Sequence, residues 1–433
     1  MRTPRSAALL IPLLALAASP LRAQTARGSY TGPGSCAAAS CHGSVRPVPG
    51  GTIQQTEYTT WVVQDKHAKA TDVLSSPVSI RMGRLLDLPT RPADAPKCLA
   101  CHALDVPAPQ RARSYAAEGV SCEACHGPAS GWLGPHTTRG WTHAQSVALG
   151  MYDTRDVITR TEKCASCHLG GADKSVDHEM IAAGHPDLVF ELEAFSAAMP
   201  RHWQSAPSSD PWQNVSAWSV GQIVQLREGL QRLEDRSTRG VWPEYAELDC
   251  FACHHSLTRP DDSWRQDLGY ESRRPGNPPW NQARFAVARH VARIADPAAA
   301  DKLDADVLRL AGEVTSLQGD RARVTATSAS LIQTLDELAK RLAAAPADRA
   351  RTLQYARAIT GDAEQISRLG ERSAEQAAMS LETLMGALGK NGGADAAATR
   401  AALDRLFQQL ENPSTYDPRR FAPQLRRLGD LLK

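Results

Sequence analysis

The sequence predicts a mainly α-helical protein in two unlike parts: short helices and loops over residues 24–272, then, after a linker at 273–280, an α-helical bundle over 281–433. Three observations predict it. All ten cysteines fall in five close pairs before residue 254, each pair followed at once by a histidine. After the Pro- and Gly-rich stretch RRPGNPPW (273–280) cysteine vanishes, and Ala, Leu, Arg and Asp take over. From Leu303 onward, apolar residues recur every seven positions.

The chain begins with a segment, residues 1–23, that reads as a secretory signal. Arg2 and Arg5 form its positive start, residues 7–18 its apolar centre, and Ala23 offers a small residue at the cut. That apolar centre is short of the roughly 20 residues that span a bilayer, and no later segment is long and apolar enough to do so. Cys36, the first cysteine beyond it, is too far from the cut for a lipid-anchored start. The mature protein is therefore expected to be exported, periplasmic or beyond, and not integral to a membrane. Removing Arg2, Arg5 and Arg22 with the signal leaves 46 basic against 47 acidic residues. This balance argues against nucleic acid as a partner.

The five cysteine pairs are CAAASCH (36–42), CLACH (98–102), CEACH (122–126), CASCH (164–168) and CFACH (250–254). Disulfides are the default for an exported chain, but they give no reason for the histidine. A zinc ribbon would pair CxxC units, and five in a row overshoot its ligand count. A thioredoxin-like redox pair would occur once, near a βαβ pattern. The remaining reading is covalent haem attachment. Cys36, Cys41, Cys98, Cys101, Cys122, Cys125, Cys164, Cys167, Cys250 and Cys253 would form thioethers to the vinyl groups of five haems c. The histidine beside each pair would ligate the iron from one side. CAAASCH departs from the rest, with four residues between its cysteines, a loop that still reaches both vinyls; a plain disulfide or free thiols is its alternative.

Thirteen histidines are present. His42, His102, His126, His168 and His254 are proximal. His67, His136, His143, His178, His185, His202, His255 and His290 remain for the sixth ligand. Two histidines close an iron, methionine would raise its potential, and an empty side could bind substrate. Met82, Met151, Met180 and Met199 read as core fillers. Seven of the eight spare histidines lie between residues 67 and 255, where the haem sites are. Histidine usage follows haem usage, as distal ligation requires.

TTWVVQDKHAKAT (59–71), GVSCEACHGPASGWLGPH (119–136) and RTEKCASCHLG (160–170) together resemble the cytochrome c-554 family of multihaem cytochromes, in the same order over residues 30–170. The resemblance implies that His67 and His136 are distal ligands of haems other than the nearest in sequence. It also implies that the second iron, at Cys98, Cys101 and His102, lacks a distal side chain. This chain departs from the tetrahaem pattern in its long first spacing, its fifth site and its C-terminal extension.

In SVDHEMIAAGHPDLVFELEAF (175–195), His178 and His185 lie seven residues apart, about 10 Å along a continuous helix, with Pro186 set to interrupt it. They are too far apart for one iron but suit two neighbouring haems, and similar DHE…AAGHP runs occur in larger relatives of the family. His255, next to proximal His254, could reach a different haem and joins the candidate ligands. His202, beside Trp203, reads as a packed or propionate-bonding side chain ahead of a ligand. His143 and His290 read as structural.

Five sites within residues 36–254 leave about 44 residues per haem, so the haems themselves supply much of the core. RPVPGG (46–51) and DVPAPQ (105–110) read as turns. Beyond the linker, Leu303, Leu310, Leu317, Val324, Leu331 and Leu338 predict two helices, turned at Gly319–Asp320, and further helices are expected at 347–360, 371–388, 395–411 and 417–432. An amphipathic antiparallel bundle is the simplest reading of this part, and a docking face for a redox partner is the alternative.

Two functions fit. The favoured one is an electron-transfer relay between periplasmic redox partner proteins, without catalysis of its own. The alternative is a multihaem oxidoreductase that converts nitrite, NO or hydroxylamine at one five-coordinate haem, that of His102.

Overall fold

The structure, a computed structural model, describes residues 28–49, 53–113, 115, 118–171, 174–203, 210–254, 277–316, 319–392 and 395–432. The signal expected at 1–23, His255, Leu317 and the first half of the 273–280 linker lie outside the described residues. Among the described residues there is no β-strand, only isolated bridges, and the fold is mainly helical.

The first part is a string of short helices, each started and stopped by local chemistry. Helix α1 (Glu57–Gln64) ends where Asp65 turns extended, and the Asp65 carboxylate accepts the His67 N–H to open a 3-10 turn. Helix α2 (Pro77–Leu85) begins on proline and is capped by Ser76. Helix α3 (Pro96–His102) and helix α4 (Cys122–His126) each end on a motif histidine. Helix α5 (His143–Ala148) opens with a Thr142/Gln145 capping box. Helix α6 (Val157–His168) is capped by Asp156 and also ends on its motif histidine. Helix α7 (His178–Ala183), capped by Asp177, stops at left-handed Gly184, before the expected break at Pro186. Helix α8 (Leu192–Ala198) is capped by Glu191. Among the described residues, a small cluster of Ala165, Leu169, Phe190 and Leu192, joined by Ala217 of the next helix, is the apolar core of this part.

The second part starts earlier than the composition shift predicts. Helix α9 (Gln213–Arg239) buries Val215, Trp218, Ile223, Val224, Leu230 and Leu233. They share one continuous core with α10 (Ala283–Ala295), α11 (Pro297–Val314), α12 (Arg321–Ala343), α13 (Arg349–Gly361), α14 (Ala363–Arg368), α15 (Glu371–Lys390), α16 (Ala396–Gln408) and α17 (Pro418–Gly429). The heptad residues behave as their spacing requires: Leu303, Leu310, Val324, Leu331 and Leu338 are all buried. Asp320 caps α12 at the expected turn. Truncating such a fully buried leucine to alanine costs about 2–5 kcal/mol. The end of the linker is packed rather than free. Trp280 is buried and bridges to Leu248, and the N–H groups of Asp249 and Asn281 donate to Pro279 and Glu247.

A buried ionic cluster ties the two parts together. Arg232 and Arg236 of α9 both bond the Glu247 carboxylate. Arg232 also donates to the Leu169 carbonyl at 2.7 Å, and Arg236 to the Val176 carbonyl at 2.7 Å. Leu169 directly follows the fourth motif, Val176 lies two residues before His178, and Glu247 lies three residues before Cys250. Helix α9 thus anchors the chain just after the fourth motif and just before the fifth.

Candidate haem sites

In a helical turn, residues i, i+3 and i+4 share one face. The CxxCH spacing therefore aims two thiols and one imidazole the same way, as in α3, α4 and the end of α6. CFACH does this on a 3-10 turn, Cys250–Ala252, with the His254 N–H donating to the Cys250 carbonyl at 2.8 Å. The longer CAAASCH makes the equivalent closure, His42 N–H to Cys36 carbonyl at 3.2 Å, with its extra residues looped out. That loop needs Gly43, whose Cβ would lie 1.9 Å from the Ala37 carbonyl oxygen. None of the ten cysteines is disulfide-bonded.

Each motif histidine faces a second histidine from a distant part of the chain. The ring centroids are 6.3 Å apart for His42 and His136, 6.4 Å for His102 and His185, 6.4 Å for His126 and His202, 6.0 Å for His168 and His67, and 6.2 Å for His254 and His178. These pairs are sites 1, 2, 3, 4 and 5, in the order of their motifs. A metal–imidazole bond of about 2 Å on each side, plus roughly 1.1 Å from nitrogen to ring centre, predicts a separation of about 6.2 Å. All five pairs have the spacing that a six-coordinate iron between two imidazoles requires. Among the described residues, no group of three or more His, Cys, Asp or Glu is gathered to hold a bare ion. Each site offers two imidazoles and two thiols, which would hold a haem by ligating its iron and by forming thioethers to its vinyl groups. When bound, that group supplies one-electron exchange at its iron.

Hydrogen bonds fix which nitrogen is free. Nδ1–H of His102 donates to the Ala70 carbonyl at 2.9 Å, that of His136 to Leu133 at 2.6 Å, that of His185 to Pro186 at 2.7 Å, and that of His202 to Pro200 at 3.4 Å. Carbonyls only accept, so Nδ1 carries the proton and Nε2 keeps its lone pair for a metal. His42 and His67 also use Nδ1, toward the carboxylates of Glu57 at 3.0 Å and Asp65 at 2.9 Å. The two unpaired histidines do the reverse: Nε2 of His143 bonds Asp153 at 2.8 Å, and Nε2 of His290 bonds Asp362 at 2.9 Å. Nitrogen usage separates these six paired rings from the two unpaired ones. At His126, burial, seconded by the facing His202, holds the imidazole well down at about 4, which keeps it neutral as ligation demands.

The loops that carry these rings lock to one another. Gly119, at φ +51°, lies so close to the His67–Ala68 backbone that a Cβ would sit 2.6 Å from the Ala68 carbonyl oxygen. Val120 N–H donates to the His67 carbonyl at 2.9 Å, joining the third motif to the ring that faces the fourth. The His168 ring is packed by Phe190 and Phe195, at 5.9 and 4.9 Å between centroids. The side chains of Cys36 and Cys122 lie beside each other, as do those of Cys101 and Cys167. Sites 1 and 3 therefore adjoin, and so do sites 2 and 4.

Two placements differ from the sequence reading. His102, expected from the family resemblance to lack a partner, has the His185 ring opposite it. His202, read as packed beside Trp203, stands opposite His126, and only its position within the histidine-rich region hinted at this. His178 and His185 serve separate sites, because α7 ends at Gly184 and sends the two rings in different directions. Ring orientation varies as well. The imidazole planes are 9° and 30° apart at sites 1 and 5, but 88°, 84° and 85° apart at sites 2, 3 and 4.

No helix among the described residues is long and apolar enough to cross a membrane. Comparison with curated proteins and with solved structures gave no match. Residues 36–127, which contain the first three motifs together with His67, match the family described as cytochrome c554 and c-prime. Over those residues the chain is similar to that family, a likeness that supports a c-type cytochrome of electron transfer with covalently bound haem c.

Proposed function

We propose that the chain is an exported pentahaem cytochrome that relays electrons between redox partner proteins through five irons, each closed by two histidines. The observation that carries this reading is the set of five imidazole pairs at 6.0–6.4 Å. An iron held on both sides has no position for nitrite, NO or hydroxylamine. It changes charge with little movement of its ligands. The oxidoreductase alternative needs an open side at His102, and the His185 ring at 6.4 Å speaks against it.

The chain's own part is to hold rings and to pack sites. Nδ1 hydrogen bonds orient the imidazoles, and the ionic cluster of Arg232, Arg236 and Glu247 steadies the segments around sites 4 and 5. The neighbouring cysteines of sites 1 and 3 and of sites 2 and 4 favour short steps. Residues 1–23 direct export, and no charge excess directs the protein to nucleic acid. The test is the mass of the purified, exported holoprotein together with its haem-to-protein ratio. Five haems on a chain cut after residue 23 are expected; three or fewer would overturn the pentahaem reading.

A further inference from the structure

At two of the five sites an imidazole Nδ1–H is held by a carboxylate, and both carboxylates come from one short helix. Glu57, the first residue of α1, receives the Nδ1–H of His42 at site 1. Asp65, the residue that ends α1, receives the Nδ1–H of His67 at site 4. Both carboxylates are fixed by backbone: the Gln54 N–H donates to Glu57 at 2.7 Å and the His67 N–H to Asp65 at 3.0 Å. Asp65 is buried and Glu57 largely so, with side chains 6 % and 17 % exposed. Water therefore screens neither strongly. At site 2, by contrast, both imidazoles donate to neutral carbonyls, of Ala70 and Pro186, and at site 3 His202 donates to Pro200.

We propose that Glu57 and Asp65 are potential-setting residues that make sites 1 and 4 the lowest in potential of the five, so that α1 grades the relay. The inference rests on the bis-histidine reading above. A carboxylate accepting the Nδ1 proton makes the imidazole a stronger donor and adds a negative charge near the iron. Both favour the ferric over the ferrous state. A carbonyl does this far less. Glu57 and Asp65 touch the ligands and not the iron, so they act by positioning and polarising.

The ring angles allow the sites to be told apart in the test. Parallel imidazoles donate into the same iron d orbital and give a rhombic low-spin EPR spectrum. Perpendicular ones donate into two orbitals and give a single very large g value. Sites 1 and 5 belong to the first kind, and sites 2, 3 and 4 to the second. A potentiometric titration of the holoprotein followed by EPR should find that the last two irons to be reduced are one of each kind. Two of the same kind would overturn the proposal. In Asp65→Asn, one large-g iron should shift to higher potential, with about a tenfold change in its oxidised-to-reduced ratio at fixed potential, or about 59 mV. Glu57→Gln should do the same to one rhombic iron, and Asp153→Asn, whose partner His143 faces no motif histidine, should shift none. Unmoved midpoints in variants that retain five low-spin haems would refute the role of α1 and leave the bis-histidine reading intact. A haem count other than five, or a high-spin iron in the unaltered protein, would instead refute that reading.

Discussion

Replacing Glu247 with glutamine should loosen the joint between the motif-bearing segments and the C-terminal helices. Burial pushes this carboxyl up, but Arg232 and Arg236 outweigh it and bring it down to about 2, from an ordinary 4.5. At 1.36 kcal/mol per pKa unit, that difference is worth about 3 kcal/mol at neutral pH. Removing one partner of a buried ionic cluster costs about 3–5 kcal/mol by a separate route to the same interaction, so the two figures agree and are not to be added. A folded pKa below the unfolded one gives stability that is complete above pH about 4.5 and lost as pH falls through about 2. Thermal unfolding of the holoprotein, followed by far-ultraviolet circular dichroism, reads this out. Glu247→Gln should melt about 3–6 °C below the unaltered protein at pH 7, because a chain of 433 residues unfolds with an entropy of about 0.9 kcal/mol/K. By pH 3 the gap should shrink to less than half, and at pH 2 it should nearly close. A gap under 2 °C at pH 7, or one that stays constant with acid, would refute the reasoning.

Further outcomes follow from other contacts. Glu123, inside the third motif, is buried and accepts the N–H groups of Thr31, Gly32 and Ala129 at 2.7–2.9 Å. Each such charge-assisted bond contributes about 1.5–3 kcal/mol, so Glu123→Ala should release residues 28–32 to limited proteolysis before Cys36 and lower the melting temperature. His202→Ala should retain the full haem content but convert one large-g iron into a high-spin one that binds cyanide; an unchanged spectrum would remove His202 from site 3. Asp153→Asn should leave the visible and EPR spectra unaltered and cost under about 1 kcal/mol, since His143 is part-exposed and its pairing with Asp153 is a surface contact.

Much of the site could be read from the chain, because CxxCH is a local pattern: one turn of helix sets two thiols and a histidine on a face. The pairing of rings could not, since His42 with His136 or His126 with His202 is decided by how distant loops pack. A histidine in PRHW looks the same whether or not another ring faces it. Nδ1 versus Nε2 usage, which separates His143 and His290 from His42, His67, His102, His136, His185 and His202, exists only in three dimensions. In the C-terminal part, Leu303, Leu310, Val324, Leu331 and Leu338 announced their burial through their spacing. Helix α9 was missed as a member of that core because the cysteine motifs on both sides of it placed it in the first part. Its own apolar residues, Trp218, Ile223, Val224, Leu230 and Leu233, were the available signal. Helix α7 ends ahead of Pro186, because Gly184 adopts the left-handed cap first.

Closure of every iron by two histidines is tested most directly by low-temperature EPR with spin quantification on the oxidised holoprotein. Five low-spin irons are predicted, two rhombic and three of very large g value, unchanged by cyanide, nitrite, hydroxylamine or NO. A high-spin component in the unaltered protein that shifts when one of these is added would mean that one iron has an open side, and would contradict the account.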